Sequence, residues 1–297
     1  MKKTRVLIVF VCVMAAVNFA SADTIRGINI DFVTIGNAGN PADNPSGNSH
    51  GAVGYNYRIG KYEVTNAQWD TFTAAASAPT GSDGGYSYPA YWTGAQQPTN
   101  NVSWYETLQF CNYLTSGDKS KGAYQFSGNN SDPGSFLGIN RTAAQAIYGT
   151  IYVIPTEDEW YKAAYYKPDN SGYSDFANGT DTQPIAGVAS NYNKVNSQPW
   201  DVGVGNGTME QNGTFDMTGN VYEWNENLVN SSDPYRRMRG GSFSSTYPYL
   251  DIASSGGSHG DYPYKESNLL GFRVASIPEP ATILLLSFGG LALIKKR

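Results

Sequence analysis

The sequence predicts a single, loop-rich α+β domain. Of its 297 residues, 40% are hydrophobic and 13% aromatic, which is enough to build a core, whereas only 15% are charged. Glycine and tyrosine are abundant, with 33 and 22 residues, and this balance favours many turns with aromatic anchors over long surface helices. No linker divides the stretch from residue 23 to residue 276, so we expect one domain there.

The strand and helix patterns of this domain begin near its N-terminus. The alternating stretch "INIDFVTI" within residues 25–35 predicts a first strand, and "YNYRIGKYEVT" (55–65) resumes a strand pattern after a Gly/Asn/Pro loop. Thr65 can then cap a helix that runs through "NAQWDTFTAAA". The long stretch 116–155 is rich in turns and has strand signals only near its two ends.

Two further helices are predicted by capping boxes. Ser103 with Glu106, and Thr156 with Glu159, each place a hydroxyl and a carboxylate where they satisfy two otherwise unpaired amide groups. In the first of these helices Cys111 shares one face with apolar residues, which indicates a small core residue instead of a reactive thiol.

The first 22 residues have the pattern of a signal peptide. Three basic residues precede an apolar run from Val6 to Val17, and Ala20 and Ala22 fit cleavage by signal peptidase before Asp23. The alternative, an uncleaved membrane anchor, is less favoured because this run is shorter than the ~20 residues that span a bilayer. The sequence therefore predicts export.

Residues 277–297 form a second targeting signal. Pro278-Glu279-Pro280 precedes an apolar run from Ala281 to Ile294, and three basic residues end the chain. A helix of this length covers about 21 Å of a hydrocarbon core about 30 Å thick, so it suits a transient membrane anchor. These three elements in order resemble the PEP-CTERM sorting signal of Gram-negative exopolysaccharide producers. The resemblance implies processing by an exosortase-type protease and a location at the cell surface or in the extracellular matrix.

The body between these two signals is acidic. It keeps 14 Lys and Arg against 24 Asp and Glu, a net charge near −10. Nucleic acid is therefore excluded as a partner, whereas divalent cations and neutral or cationic ligands are compatible. Cys12 leaves with the signal peptide, so Cys111 has no partner for an intramolecular disulfide.

Five segments of the body occur in an order typical of one family. They are "YRIGKYEVTNAQW" (57–69), "PTNNVSWYETLQFCNYL" (98–114), "IPTEDEWYKAAYY" (154–166), "GTFDMTGNVYEWNEN" (213–227), and "RMRGGSF" (237–243) with "GFRVAS" (271–276). The set resembles the formylglycine-generating sulfatase-modifying-factor domain over residues 23–276. The resemblance implies a C-type-lectin-like variant of the α+β class.

The chemistry of that family does not carry over to this chain. In catalytic members the Gly-Gly-Ser segment is followed by two cysteines that bind copper and oxidise a substrate cysteine to formylglycine. Aligned on Gly240-Gly241-Ser242, those positions are Ser245 and Leu250. Because a hydroxyl and an isobutyl group cannot replace thiolates as ligands of Cu(I), copper is not expected.

A related branch, the iron-dependent sulfoxide synthases, holds its metal with a histidine cluster. This chain has two histidines, His50 and His259, in separate glycine-rich loops. Two imidazoles without a third ligand make a weak iron site, so both are interpreted as ordinary loop residues.

A calcium site does carry over from the resemblance. The family holds calcium with a segment that matches Asp216, Gly219, Val221 and Glu223, through the acid side chains and the Gly and Val carbonyls, which are ligands that calcium favours. The alternative is that "GNVYEW" serves packing alone. A second family site begins at Asn191 and Tyr192, although the loop that carries its downstream acid is shorter here.

Two classes of function fit these observations. The first is a non-catalytic binding or matrix module that holds a polysaccharide or a protein, with Tyr and Trp side chains available for stacking. The second is an enzyme of the sulfatase-modifying type with non-standard residues, in which an acid such as Asp251 or Asp261 acts in acid-base chemistry. The lack of a paired nucleophile and base after the Gly-Gly-Ser segment favours binding.

We expect both ends of the chain to be removed during export. Mass spectrometry of the exported protein should find Asp23 at the N-terminus and no peptide from the segment after about Pro280, because both ends carry processing signals. Detection of an intact "LALIKKR" terminus on mature surface protein would contradict the predicted processing.

Overall fold

A computed structural model describes residues 21–44, 47, 49–79, 91–128, 135–205, 209–232, 234–247, 250 and 259–279. The predicted signal peptide up to residue 20 and the tail from Pro280 lie outside these residues. Within the described ranges, no helix combines the length and the apolar character needed to cross a bilayer.

The chain forms eleven short strands and four helices among the described residues. The strands are β1 (Ser21–Ile25), β2 (Ile28–Ile35), β3 (Tyr57–Gly60), β4 (Tyr124–Phe126), β5 (Phe136–Ile139), β6 (Ile151–Val153), β7 (Tyr222–Leu228), β8 (Arg236–Arg239), β9 (Gly260–Asp261), β10 (Leu270–Gly271) and β11 (Ala275–Ile277). The helices are α1 (Asn66–Ala76), α2 (Trp104–Ser116), α3 (Arg141–Tyr148) and α4 (Glu157–Tyr165).

The strands assemble into three sheets. A five-stranded antiparallel sheet has the order β1-β2-β3-β11-β6, so the last strand of the domain lies between two strands, β3 and β6, that come much earlier in the chain. A four-stranded sheet has the order β10-β7-β8-β9, in which β10 and β7 are parallel. A small hairpin joins β4 and β5. This arrangement confirms the predicted α+β class.

The core lies between the five-stranded sheet and the helices. Trp69 and Phe72 of α1 pack against Phe110 of α2, with ring centroids 5.8 and 5.2 Å apart, and Phe272 completes the cluster at 5.3 Å from Phe110. Helix α2 is buried from Trp104 to Thr115, so Cys111 is a core residue, as predicted. Burial raises the pKa of its thiol well above the ordinary value, which keeps it protonated.

The predicted element starts are largely confirmed. Strand β2 and helix α1 have the predicted ends, and Thr65, Ser103 and Thr156 each accept a hydrogen bond from the third helical residue, at 3.3, 3.3 and 3.1 Å. Strand β3 is shorter than its pattern because the chain turns after Gly60 toward the cap of α1.

The sequence did not predict helix α3 or the strands β1, β5 and β7 to β11. Strand β1 begins inside the predicted signal peptide and continues past its cleavage site. Helix α3 lies in the turn-rich stretch 116–155, and Ala144 is its one buried residue. Its start is marked by Asn140, whose side chain accepts from the amide of Ala143 at 2.9 Å.

The two capping-box glutamates have different surroundings. Glu159 is fully buried and accepts from Arg141 at 2.7 Å and from the amide of Thr156 at 2.6 Å. Although burial alone would raise the pKa of Glu159, the Arg141 guanidinium holds it below its ordinary value. Glu106 accepts from the amide of Ser103 at 2.6 Å, and burial raises its pKa well above the ordinary value.

The matched substitutions Glu159→Gln and Glu106→Gln should therefore differ in effect. Glu159→Gln leaves the buried cation of Arg141 with less negative charge, so we expect a loss of about 3 kcal/mol in the free energy of unfolding. Glu106→Gln replaces a carboxyl group whose charged form burial disfavours and removes no ion pair, so it should cost less than about 1 kcal/mol. Denaturant titration measures both losses, and equal losses would contradict the different roles assigned to the two glutamates.

Candidate functional site

The Gly-Gly-Ser segment follows β8 and turns sharply. Gly240 and Gly241 have φ values of 91° and 76°, which a residue with a side chain rarely adopts. The carbonyl of Gly240 accepts from the amide of Gly219 at 2.7 Å. A Cβ atom on Gly219 would overlap the carbonyl oxygen of Asn191. The loops that contain Asn191, Gly219 and Gly240 can therefore approach closely because positions 219 and 240 are glycine.

The two positions assigned to the family cysteines are enclosed by the protein. Ser245 is 6% exposed, and its Oγ accepts from the amide of Ser242 at 2.9 Å and donates to the hydroxyl of Tyr222 at 3.1 Å. Leu250 is 1% exposed. Neither side chain offers a thiolate, and the hydroxyl of Ser245 is already engaged with Ser242 and Tyr222.

A buried ion pair underlies the turn. Arg273 donates from Nε and Nη2 to the two carboxylate oxygens of Glu223, both at 2.6 Å, and both side chains are fully buried. Trp160 adds an indole N–H to the same carboxylate at 2.7 Å. Glu223, which the sequence assigns to calcium, is therefore paired with Arg273 within the protein, and its role as a calcium ligand stays a prediction.

Asp216 lies in a different electrostatic setting. Its Oδ1 accepts from the indole N–H of Trp200 at 2.8 Å and its Oδ2 from the amide of Gly203 at 2.7 Å. Both hydrogen-bond donors are uncharged, and burial raises the pKa of the carboxyl group, with a smaller opposing effect of Arg273.

A second carboxyl group lies near Asp216. Glu63 is 1% exposed, and its Oε2 has no hydrogen-bond partner among the described residues. Burial, followed by repulsion from Asp216, raises its pKa well above the ordinary value. Buried carboxyl oxygens without a charged hydrogen-bond donor fit a hard cation, so Asp216 remains the acid around which calcium binding is predicted.

The residues of the second predicted calcium site hold their own loop. Asn191 is fully buried and donates to the carbonyl of Gln198 at 3.0 Å and to the side chain of Asn220 at 3.2 Å. The hydroxyl of Tyr192 donates to the carbonyl of Pro184 at 2.6 Å. Calcium binding at Asn191 and Tyr192 stays a prediction.

The two histidines lie in the surroundings of one arginine. His50 has its Nδ1 3.7 Å from Glu157, which also pairs with Arg239, and His259 packs against the ring of Tyr222 at 5.8 Å. Burial, with a smaller contribution from Arg239, lowers the pKa of each imidazole. Within the described ranges, no group of three or more His, Cys, Asp or Glu side chains is placed to hold a metal ion.

The two acids considered for acid-base chemistry are Asp251 and Asp261. Asp251 lies outside the described residues. Asp261 is partly exposed in β9, and its side chain accepts from the adjacent amide of Tyr262 at 2.8 Å. This contact is a local turn interaction.

A groove opens beside the Gly-Gly-Ser turn, and we call it the tryptophan groove. Its volume is about 870 Å³, within the range of roughly 300–1,000 Å³ that is usual for ligand sites. The lining residues are Trp92, Gly187, Val188, Val195, Asn196, Ser197, Gln198, Pro199, Trp200 and Val204.

The tryptophan groove is tied directly to the turn. The ring of Trp92 packs edge-on against Phe243, with centroids 5.8 Å apart, and the carbonyl of Phe243 accepts from the amide of Lys194 at 2.8 Å. The sequence does not reveal this groove because Trp92 and Trp200 are 108 positions apart in irregular segments. The available signal was a tryptophan with a Gly and a Pro within three positions in each segment, which is typical of exposed turns.

Comparison with known proteins identifies the family. The description "Sulfatase-modifying factor enzyme 1-like domain" matches residues 32–277. The chain is 26% identical over 227 residues to a protein named chaperone protein LppX of Paenibacillus barcinonensis, which covers 67% of this chain and 74% of that protein.

Solved structures share the fold at low sequence identity. Variable protein 1 of Treponema denticola matches with a TM-score of 0.61 and 20% identity, over 88% of this chain and 99% of that one. CarF matches with a TM-score of 0.60 and 20% identity, over 84% and 99%. PvdO from Pseudomonas aeruginosa matches with a TM-score of 0.57 and 17% identity, over 85% and 95%. The fold is thus the C-type-lectin-like one, and the chain belongs to the sulfatase-modifying factor enzyme 1-like domain family.

Proposed function

We propose that this protein is an exported, non-oxidising member of its family that acts as a binding module at the cell surface or in the extracellular matrix. The observation that carries the proposal is the closed packing of Ser245 and Leu250 beside an open groove. The turn of the family is present, no thiol stands at either position, and the remaining thiol of Cys111 is buried and protonated. What remains accessible is a surface suited to binding.

Export would begin with signal peptidase and end with an exosortase-type protease that releases a transient membrane anchor. The predicted signal-peptidase site, between Ala22 and Asp23, falls inside β1, which pairs with β2 along its whole length. Cleavage therefore has to precede that pairing. Asp23 keeps its ion pair with Arg58 at 2.6 Å afterwards, so the shortened strand retains an anchor.

The absence of redox chemistry is tested with copper and a substrate peptide. We expect the purified full chain to bind no stoichiometric Cu(I) and to leave the cysteine of a sulfatase-derived peptide unoxidised, because Ser245 and Leu250 offer no thiolate. Mass spectrometry of the peptide detects the aldehyde, and a catalytically active family member run in parallel shows that the assay works. Conversion that depends on this chain would support the enzyme hypothesis instead.

We also propose that calcium stabilises the fold through Asp216 and the carbonyls of Gly219 and Val221. The support is the buried carboxyl group of Asp216, whose hydrogen-bond donors are both uncharged, near the unpartnered carboxyl oxygen of Glu63. The φ values of Asp216 and Gly219, 62° and 89°, give this turn an unusual backbone that an ion would help to hold.

Thermal melting in excess calcium and in EGTA tests this site. An ion that binds only the folded state at a hundred times its Kd adds about 2.7 kcal/mol, which corresponds to a rise of roughly 5 to 10 °C in Tm for a domain of this size. Asp216→Asn should abolish the rise, whereas Asp70→Asn, at an exposed position on α1, should keep it. Equal melting temperatures of the natural protein in both solutions would remove the calcium proposal.

A further inference from the structure

Hydrogen bonds within the protein orient the two indole rings of the tryptophan groove. The N–H of Trp92 donates to the carbonyl of Asn268 at 3.0 Å, and the N–H of Trp200 donates to Asp216 at 2.8 Å. Both rings are half-buried. Since the polar atom of each indole is already satisfied, what each ring offers a ligand is apolar carbon surface.

Rigid backbone contacts support these rings. The amide of Trp200 donates to the side chain of Asn220 at 3.0 Å, and the amides of Tyr91 and Trp92 both approach the side-chain oxygen of Asn100, at 2.8 and 3.4 Å. Phe243 packs edge-on against Trp92. The rings are therefore held in place before a ligand arrives, which lowers the entropic cost of binding.

The chemistry of the lining is polar but uncharged. Asn196, Ser197 and Gln198 supply amide and hydroxyl groups, and the remaining lining residues are glycine, proline, valine and tryptophan. No Asp, Glu, Lys or Arg is among the described residues that line the groove. A charged ligand would lose its hydration there without meeting an opposite charge of the protein, so the lining favours a neutral ligand.

The main chain of the groove offers no strand edge to an extended peptide. Several backbone amides of the lining residues already donate within the protein, at 2.8 to 3.4 Å: those of Gly187, Val188, Val195, Trp200 and Val204. A peptide that binds by strand addition needs free amide and carbonyl groups in register. Recognition here must instead come from side chains and ring faces.

We propose that the tryptophan groove binds a segment of a neutral polysaccharide. A sugar ring combines an apolar face of C–H groups, which stacks on an indole, with hydroxyl groups that bond to Asn196, Ser197 and Gln198. The volume of about 870 Å³ accommodates more than one sugar ring. This inference rests on the proposed binding function and names the ligand class of that function.

Calorimetric titration of the purified full chain tests the proposal. The probes are cellohexaose, mannohexaose and N-acetylchitohexaose as neutral sugars, hexagalacturonate as an acidic sugar, and an uncharged valine-rich pentapeptide. At least one neutral sugar should bind, and Trp92→Ala and Trp200→Ala should each weaken it about tenfold or more. Tyr148→Ala is the matched control, since this partly exposed aromatic residue ends α3 and does not line the groove.

The remaining outcomes decide against the proposal. Binding by none of the neutral sugars, stronger binding of hexagalacturonate or of the pentapeptide, or binding that both tryptophan variants leave unchanged would each overturn it. Trp200→Phe keeps a ring without the N–H, so it gives a folded comparison if Trp200→Ala does not fold. The copper and peptide-oxidation assay is independent of these titrations. If the chain binds no sugar and oxidises no peptide, only the proposed ligand class is contradicted. If the chain oxidises the peptide, the proposed binding function is contradicted.

Discussion

The buried pair of Glu223 and Arg273 is the constraint on which the rest of this structure depends. Removing both charges from water costs free energy, and the fold offsets that cost by giving each nitrogen of the Arg273 guanidinium a hydrogen-bond acceptor. Besides the two bonds to Glu223, its guanidinium donates to the carbonyls of Gly60 at 3.0 Å and Phe215 at 2.9 Å. Because Gly60 ends β3 and Glu223 lies in β7, one side chain joins the two larger sheets.

This pair also separates the scaffold of the family from its chemistry. With Trp160 of α4 bonded to the same carboxylate, the loop that contains Gly219 is fixed, and its amide then fixes the carbonyl of Gly240. The Gly-Gly-Ser turn can therefore keep its shape without any metal ligand at positions 245 and 250. The side chains that follow the turn are free to change the ligand chemistry while the fold stays the same.

Contacts between residues close together in the sequence could be predicted, whereas contacts between distant residues could not. The caps at Ser103 and Thr156 depend on residues three positions away, so their spacing alone predicted both helix starts. The pairing of Glu223 with Arg273 spans 50 positions, and no periodicity reports it. The same limit explains why the sequence does not reveal the tryptophan groove, since the groove depends on which loops the fold brings together.

Asp216 connects the turn, the groove and the predicted ion. One oxygen holds Trp200, which lines the groove, and the other holds the amide of Gly203, so the carboxylate positions a binding surface even without a cation. A substitution there acts on the groove and on the ion at once. The two effects separate by state: loss of stability in EGTA reports the bonds to Trp200 and Gly203, and only the difference between EGTA and calcium reports the ion. The neutral groove and the acidic turn are thus adjacent sites that share one positioning residue.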